Sequence, residues 1–238
     1  ESLVFRASYS NALARPNFGD IAFRRLINDE DGEITVGNPF LETLEGTNWD
    51  ASVEYYLPSL GVLSASVFFK EIENFAYEFE TDADPRYAGY DVTSFANGSN
   101  GDIKGLELAY QQQLRMLPAP FDGLGFMANA TFLDSDALLP TRPGEEVPFI
   151  GQSDLTANIA LTYDKGPFFV RLAMNHRDAH LREDEAIGGS AVEDFYIDDF
   201  SQLDLVVRYE IDDNWEVFAE WVNITDEPFR VYLPSDNG

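Results

Sequence analysis

No cysteine occurs in the 238 residues, which excludes disulfide frameworks, thiolate metal sites, iron–sulfur clusters and thiol nucleophiles together. Positive charge is scarce as well: 15 Lys plus Arg stand against 43 Asp plus Glu, a formal net charge of -28. Such a chain repels phosphate, which argues against nucleic acid as a partner. No run of about 18 apolar residues is present, so there is no helical membrane span, and the stretch from Glu1 does not read as a charged and apolar leader. Apolar and aromatic residues are plentiful, at 45% and 14%. The protein is therefore expected either to be soluble or to span a membrane as a barrel.

Hydropathy alternates with a period of two along most of the chain, the signature of strands with one apolar face. Leu3, Phe5, Ala7 and Tyr9 alternate with Ser2, Arg6, Ser8 and Ser10; Leu63, Ala65, Val67 and Phe69 with Ser64, Ser66 and Lys70. Leu106, Leu108 and Tyr110 oppose Glu107, Ala109 and Gln111, and Leu155, Ala157, Ile159, Leu161 and Tyr163 oppose Asp154, Thr156, Asn158 and Thr162. The pattern returns at Phe168, Val170, Leu172 and Met174, and again at Leu203, Leu205, Val207 and Tyr209. Roughly nine or ten such strands are expected, with no convincing amphipathic helix between them.

Strand length and connection length then favour a barrel. The β pattern persists from Gly61 to Glu80 and from Asn97 to Leu114, well beyond the roughly 5–6 residues usual in soluble sheets. Tight turns at Pro58 to Gly61, Asp164 to Pro167 and Asp212 to Asn214, and a longer one at Arg115 to Gly123, alternate with long polar stretches at Ala14 to Gly46, Thr81 to Ala96, Ser135 to Gln152 and Ala179 to Phe200. Short connections on one rim and long ones on the other are the layout of outer-membrane barrels. Tyr55, Tyr56, Tyr110, Tyr163, Phe168, Tyr209 and Trp215 adjoin the short turns, where an interfacial girdle belongs. The opposite face carries Arg6, Glu54, Lys70, Glu107, Arg171, Arg177, Asp204, Arg208, Glu216 and Glu220, which suits a wet lumen or the solvated side of a sandwich.

Several segments resemble, in order, the C-terminal barrel region of TonB-dependent receptors: Arg6 to Asp20, Gly37 to Glu54, Gly61 to Phe75, Asn97 to Ala109, Gly151 to Tyr163 and Phe218 to Pro228. The resemblance implies an all-β, antiparallel, up-and-down transmembrane barrel, here about ten of its 22 strands. Residues 1–238 would then be a C-terminal fragment without plug domain, TonB-binding segment or final strand, and with open edges that make it prone to aggregate alone. It also implies that Asn223-Ile224-Thr225-Asp226 ties a strand end into its loop through local side-chain to backbone bonds, and that Gly105 allows a close approach or bulge.

No catalytic set emerges; Ser8, Ser10 and His176 form no nucleophile elbow, and no enzyme activity is expected. His176 and His180, with Glu183 and Asp184 nearby, imitate a metal site, but four positions along a strand are about 13 Å apart, so solvated strand ends are expected instead. The acidic runs Asp29-Glu30-Asp31, Glu183-Asp184-Glu185 and Asp198-Asp199 lack the spacing of a calcium loop. No metal or cofactor is expected. Phe40, Tyr87, Tyr90, Phe95, Phe195 and Tyr196 stand in the long loops and are the candidate ligand contacts. The expected function is binding and active import of a scarce, bulky nutrient (carbohydrate, siderophore or similar) across the outer membrane of a Gram-negative bacterium. Its partners would be outer-membrane lipid and lipopolysaccharide, the ligand, and the TonB complex through an N-terminal part. A passive porin and a secreted β-sandwich binding module are the alternatives.

Overall fold

The computed structural model describes residues 2–81, 88–182, 187 and 194–234. In chain order the first strands are β1 (Leu3–Ala14), β2 (Arg25–Asn28), β3 (Glu33–Val36), β4 (Leu44–Leu57), β5 (Gly61–Glu73) and β6 (Ala76–Thr81). There follow β7 (Asp91–Asn97), β8 (Asn100–Gln113), β9 (Leu124–Leu138), β10 (Glu146–Val147), β11 (Leu155–Lys165) and β12 (Phe168–Arg177). The last are β13 (His180–Leu181), β14 (Tyr196–Ile197), β15 (Phe200–Asp212), β16 (Trp215–Trp221) and β17 (Val231–Tyr232).

The long strands pair antiparallel in the order β1-β4-β5-β8-β9-β11-β12-β15-β16, an up-and-down wall that forms part of a barrel. Sequence neighbours within this wall are also spatial neighbours, so the turns alone fix its topology. Alternation along each strand is kept in register across the wall. Leu63 pairs with Tyr55 and Tyr110, Leu108 with Ala65 and Ala130, and Ile159 with Ala128 and Met174, forming one continuous apolar face. Leu63 is 51% exposed, Leu108 42% and Ile159 50%. A sandwich would have hidden these side chains between two layers; among the described residues no second sheet covers them. So large an uncovered apolar band is not compatible with water and matches the lipid-facing band of a barrel. Ten residues of β12, at about 3.4 Å each and a tilt near 45°, rise about 24 Å, the height of that band.

Gly105 illustrates why the wall needs particular residues. A Cβ added there would lie 2.3 Å from the Phe68 ring and 2.8 Å from the Phe132 carbonyl oxygen, because Phe68 is its cross-strand partner and its ring lies over the glycine. The expected close approach is therefore present. Gly105→Ala is expected to cost about 1–3 kcal/mol by overpacking, measurable as a lower urea midpoint for the intact protein refolded into vesicles. An unchanged midpoint would show that the ring yields freely.

The sequence reading of the long connections as plain loops is corrected by the structure. β2, β3, β7 and β6 form a separate four-stranded sheet in which β3 and β7 pair in parallel, β13, β14 and β17 form a three-stranded one, and a four-residue helix, α1 (Phe18–Ile21), follows β1. The long pattern from Gly61 to Glu80 divides at Asn74, whose φ of 57° turns the chain out of the wall and into β6. Phe75, Tyr77, Ala137, Leu139, Val147, Leu181 and Ile187 form a buried cluster there. That core lies at the long-loop rim, where Ala137 of the wall strand β9 meets side chains of a collar formed by the connections.

Above the Tyr9–Trp49–Phe69 row of tilted, contacting rings, the outward face of the wall turns acidic. Glu45 opposes Glu73, Glu71 opposes Asp102, and Asp102 opposes Asp136, while Lys104 pairs with Asp134 at 2.9 Å. Facing like charges are destabilising. Glu71→Gln is expected to raise stability by about 0.2–1 kcal/mol at low salt, and the gain should fade as salt screens the pair. A loss of stability on that substitution would contradict the pairing.

Candidate functional site

Two surfaces gather the polar and aromatic side chains that candidate ligand contacts are drawn from: the inward face of the wall and the collar at its long-connection rim. The inward face is polar because alternation leaves every second residue there, and these side chains bond across strands. Arg6 pairs with Glu54, whose second oxygen accepts from the Tyr56 hydroxyl at 2.6 Å. Ser8 donates to Asp50 at 3.1 Å, Ser66 to Glu107 at 2.8 Å, and Asn158 to Asn129 at 2.8 Å. Tyr56 thus belongs to the lumen and not to the girdle, since it shares a face with Glu54 two positions earlier. Between β1, β4, β5 and β8 the inward side chains Arg6, Ser8, Asp50, Ser66, Lys70 and Glu107 help line a groove of about 530 Å³.

The collar is stitched from all four long connections. Asn38 donates to the Phe95 carbonyl at 2.9 Å, and Asn97 accepts from the Glu42 amide at 2.8 Å and donates to the Asn74 carbonyl at 2.7 Å. Ile187 bridges to β6 through hydrogen bonds to and from Glu78 and Glu80. The Tyr77 hydroxyl meets Thr141 Oγ1 at 2.8 Å. Arg142 Nη1 donates to Asp194 at 2.6 Å, with both side chains essentially inaccessible, and its other nitrogens hold Glu145 as a bidentate pair.

Those bonds set the local protonation. Hydrogen bonding to Glu145 raises the Arg142 pKa further, and the same contact lowers that of Glu145. Because the folded Glu145 value lies below the unfolded one, its contribution is present above the unfolded carboxylate range and is lost as pH falls through the folded value. The Tyr90 hydroxyl is raised by its 2.7 Å bond to Asp29. Tyr196 is raised chiefly by burial and then by the charge of Asp194.

The candidate ligand residues fall into separate places. Phe40 is 86% exposed, and its backbone amide donates to Asn38 Oδ1 at 3.0 Å. Phe95 lies in β7 beside it, joined through the same Asn38. Tyr90 is committed to Asp29. Phe195 accepts the Arg182 amide at 2.9 Å, and Tyr196 stacks on Tyr232 with ring centroids 5.8 Å apart. Tyr87 lies outside the described residues. The sequence reading missed Tyr232 and Arg142, which have no local motif; only the pairing of β14 with β17 and the collar's folding bring them to Tyr196 and Asp194.

The histidines also differ from expectation. His180 is 5% exposed and buried in the collar, not a solvated strand end. His176 contacts Ser201 and Asp178, while Ser8 and Ser10 lie on β1, bonded to Asp50 and Asn48. The Asn223 to Asp226 turn is tied as expected: Asn223 Oδ1 accepts the Glu227 amide at 2.9 Å, its Nδ2 donates to the Glu227 carbonyl at 3.0 Å, and its own amide reaches Asp204 at 2.8 Å. Asn223 and Asp226 both take φ of 54°.

Residues 1–224 match the family model described as TonB dependent receptor-like, beta-barrel. No curated protein matches. Among solved structures, the chain is similar to a ferric enterobactin receptor mutant (PfeA, Q482A) from Pseudomonas aeruginosa in complex with enterobactin, at 16% identity and TM-score 0.65, covering 94% of this chain and 33% of that one. It is similar to the siderophore receptor PirA from Pseudomonas aeruginosa at 16% identity and TM-score 0.68, covering 98% and 38%. The copper transporter OprC gives 14% identity and TM-score 0.71, covering 96% and 33%. The chain thus spans about a third of the length of the structures it matches.

Proposed function

Since the chain belongs to the TonB-dependent receptor-like β-barrel family of the outer membrane, we propose that the protein it builds is a receptor that binds a scarce, bulky solute at its outer rim and imports it with energy delivered through TonB. The observation that carries this reading is the wall itself: apolar and uncovered outside, hydrogen-bonded and charged inside, with a folded collar at its long-connection rim. A receptor needs a structured surface above the pore, and the collar supplies one with exposed Phe40 and the half-buried Phe95, Phe195 and Tyr196 as contacts. Aromatic faces and a net charge of -28 favour a neutral or cationic solute, such as an oligosaccharide or a metal chelate, over a bare anion.

The test is uptake by cells carrying the intact gene, compared with a deletion strain, in media where a ferric siderophore, copper or an oligosaccharide limits growth. Growth on one of these that requires both the gene and an active TonB supports the reading. Gene-dependent uptake that persists without TonB identifies a passive porin instead. Phe40→Ala in the intact receptor should weaken binding of the solute so identified without altering barrel assembly.

A further inference from the structure

Polar side chains of the wall mostly face the lumen, but besides the acidic stretch above Tyr9, Trp49 and Phe69 a second connected set, at the outer end of β12 and β15, faces outward. Register places His176 between Ala157 and Ser201, on the same face as Met174, Leu172 and Ile159. His176 Nδ1 lies 2.8 Å from Ser201 Oγ, and its Nε2 lies 2.9 Å from Asp178 Oδ1. With the proton on Nε2, the ring donates to the carboxylate and presents a lone pair to the serine hydroxyl. This is the hydroxyl, imidazole, carboxylate order that makes a serine nucleophilic. The ring is 25% exposed and Asp178 40%, and Ala157 leaves one flank without a bulky side chain.

Height on the wall suggests a substrate. Phe168, whose ring contacts Tyr209 at 4.8 Å, lies at the short-turn end of β12. Eight residues at about 3.4 Å and a tilt of 35–45° raise His176 roughly 19–22 Å above it, near the outer edge of the apolar band. Ester carbonyls of outer-leaflet lipid lie at that boundary. We propose that Ser201, His176 and Asp178 form a nucleophilic site facing the outer leaflet that accepts an acyl group from a lipid ester.

Ser201 Oγ adds to the ester carbonyl as its proton passes to His176 Nδ1. The bond from that carbon to the alcohol oxygen then breaks, and the imidazolium returns the proton to the departing oxygen. Interfacial water then adds to the acyl carbon as His176 Nδ1 takes its proton; the bond from that carbon to Ser201 Oγ breaks, and the imidazolium returns the proton to Oγ, which releases a fatty acid and restores the hydroxyl. Asp178 orients the ring and offsets its transient charge. No pocket is needed to concentrate the substrate, because lipid is the solvent at this face. Ser201 lies in a regular strand and not in an elbow with paired backbone donors, and such donors contribute about 10²–10³ in rate, so slow acylation is expected.

The assignment rests on the lipid-facing orientation of the wall, so both are tested on the intact receptor in vesicles. An alkyl fluorophosphonate should modify Ser201, as read by peptide mass spectrometry. The adduct should vanish in Ser201→Ala and form at least ten-fold more slowly in His176→Gln, whose amide can hold the hydroxyl but not take its proton, and in Asp178→Asn. Retained heat-modifiable mobility on gels reports that each variant has folded. A phospholipid carrying a photo-crosslinker in its chain should label Leu172 and Met174. Crosslinking without a Ser201 adduct, or equal adduct rates in His176→Gln, overturns the nucleophile alone; no crosslinking overturns the orientation and the proposal with it.

Discussion

Arg142→Leu in the intact receptor is expected to loosen the collar while leaving the wall assembled. Arg142 and Asp194 have side chains only 2% and 1% accessible, so the substitution removes from the protein interior a charge-assisted contact that Asp194 makes there. Breaking a buried pair in this way costs about 3–5 kcal/mol, because the remaining charge keeps its desolvation penalty after losing its attraction. Hydrogen exchange should therefore accelerate by about two orders of magnitude or more at Tyr77, Leu139 and Leu181, which share the collar core, while amides of β9 and β11 within the wall stay protected. Arg142→Leu combined with Asp194→Leu should recover much of the loss, since removing both charges removes the penalty. Unchanged exchange in the single variant would show that the pair does not hold the loops together.

Leu108→Arg and Ala109→Arg, neighbours on β8, should differ sharply in effect. Leu108 pairs with Ala65 and Ala130 on the outward face, while Ala109 pairs with Ser64 and Asn129 on the inward one. A guanidinium near the bilayer midplane costs about 2–4 kcal/mol on the lipid face, whereas lumen positions tolerate charge. Urea titration of the intact protein folding into vesicles should show a much lower midpoint for Leu108→Arg and a small shift for Ala109→Arg. Equal effects, or the reverse order, would invert the assignment of the two faces.

The wall was legible in the sequence because each part of its pattern is local. Side chains alternate every residue, so Leu63, Leu108, Ile159 and Leu205 report their face without knowledge of their partners. Turn residues at Pro58 to Gly61 and Asp164 to Pro167 mark the short rim for the same reason. Tyr56 misled because it stands next to Tyr55, and proximity to a turn does not say which way a strand residue points; its bond to Glu54 does. The collar was not legible. Its strands are two to seven residues long, too short for a clear period, and each is stabilised by a connection distant in sequence.

By itself the sequence determined the spanning wall, its two faces and its rims, since a bilayer demands every backbone bond within the sheet and a repeating side-chain pattern that records it. Only the tertiary structure decided that the outer connections fold into a collar with its own core, that Arg142 meets Asp194 across 52 positions, and that His176 meets Ser201 across 25. Contacts of that kind depend on register and on where separate loops land, and no local spacing encodes either.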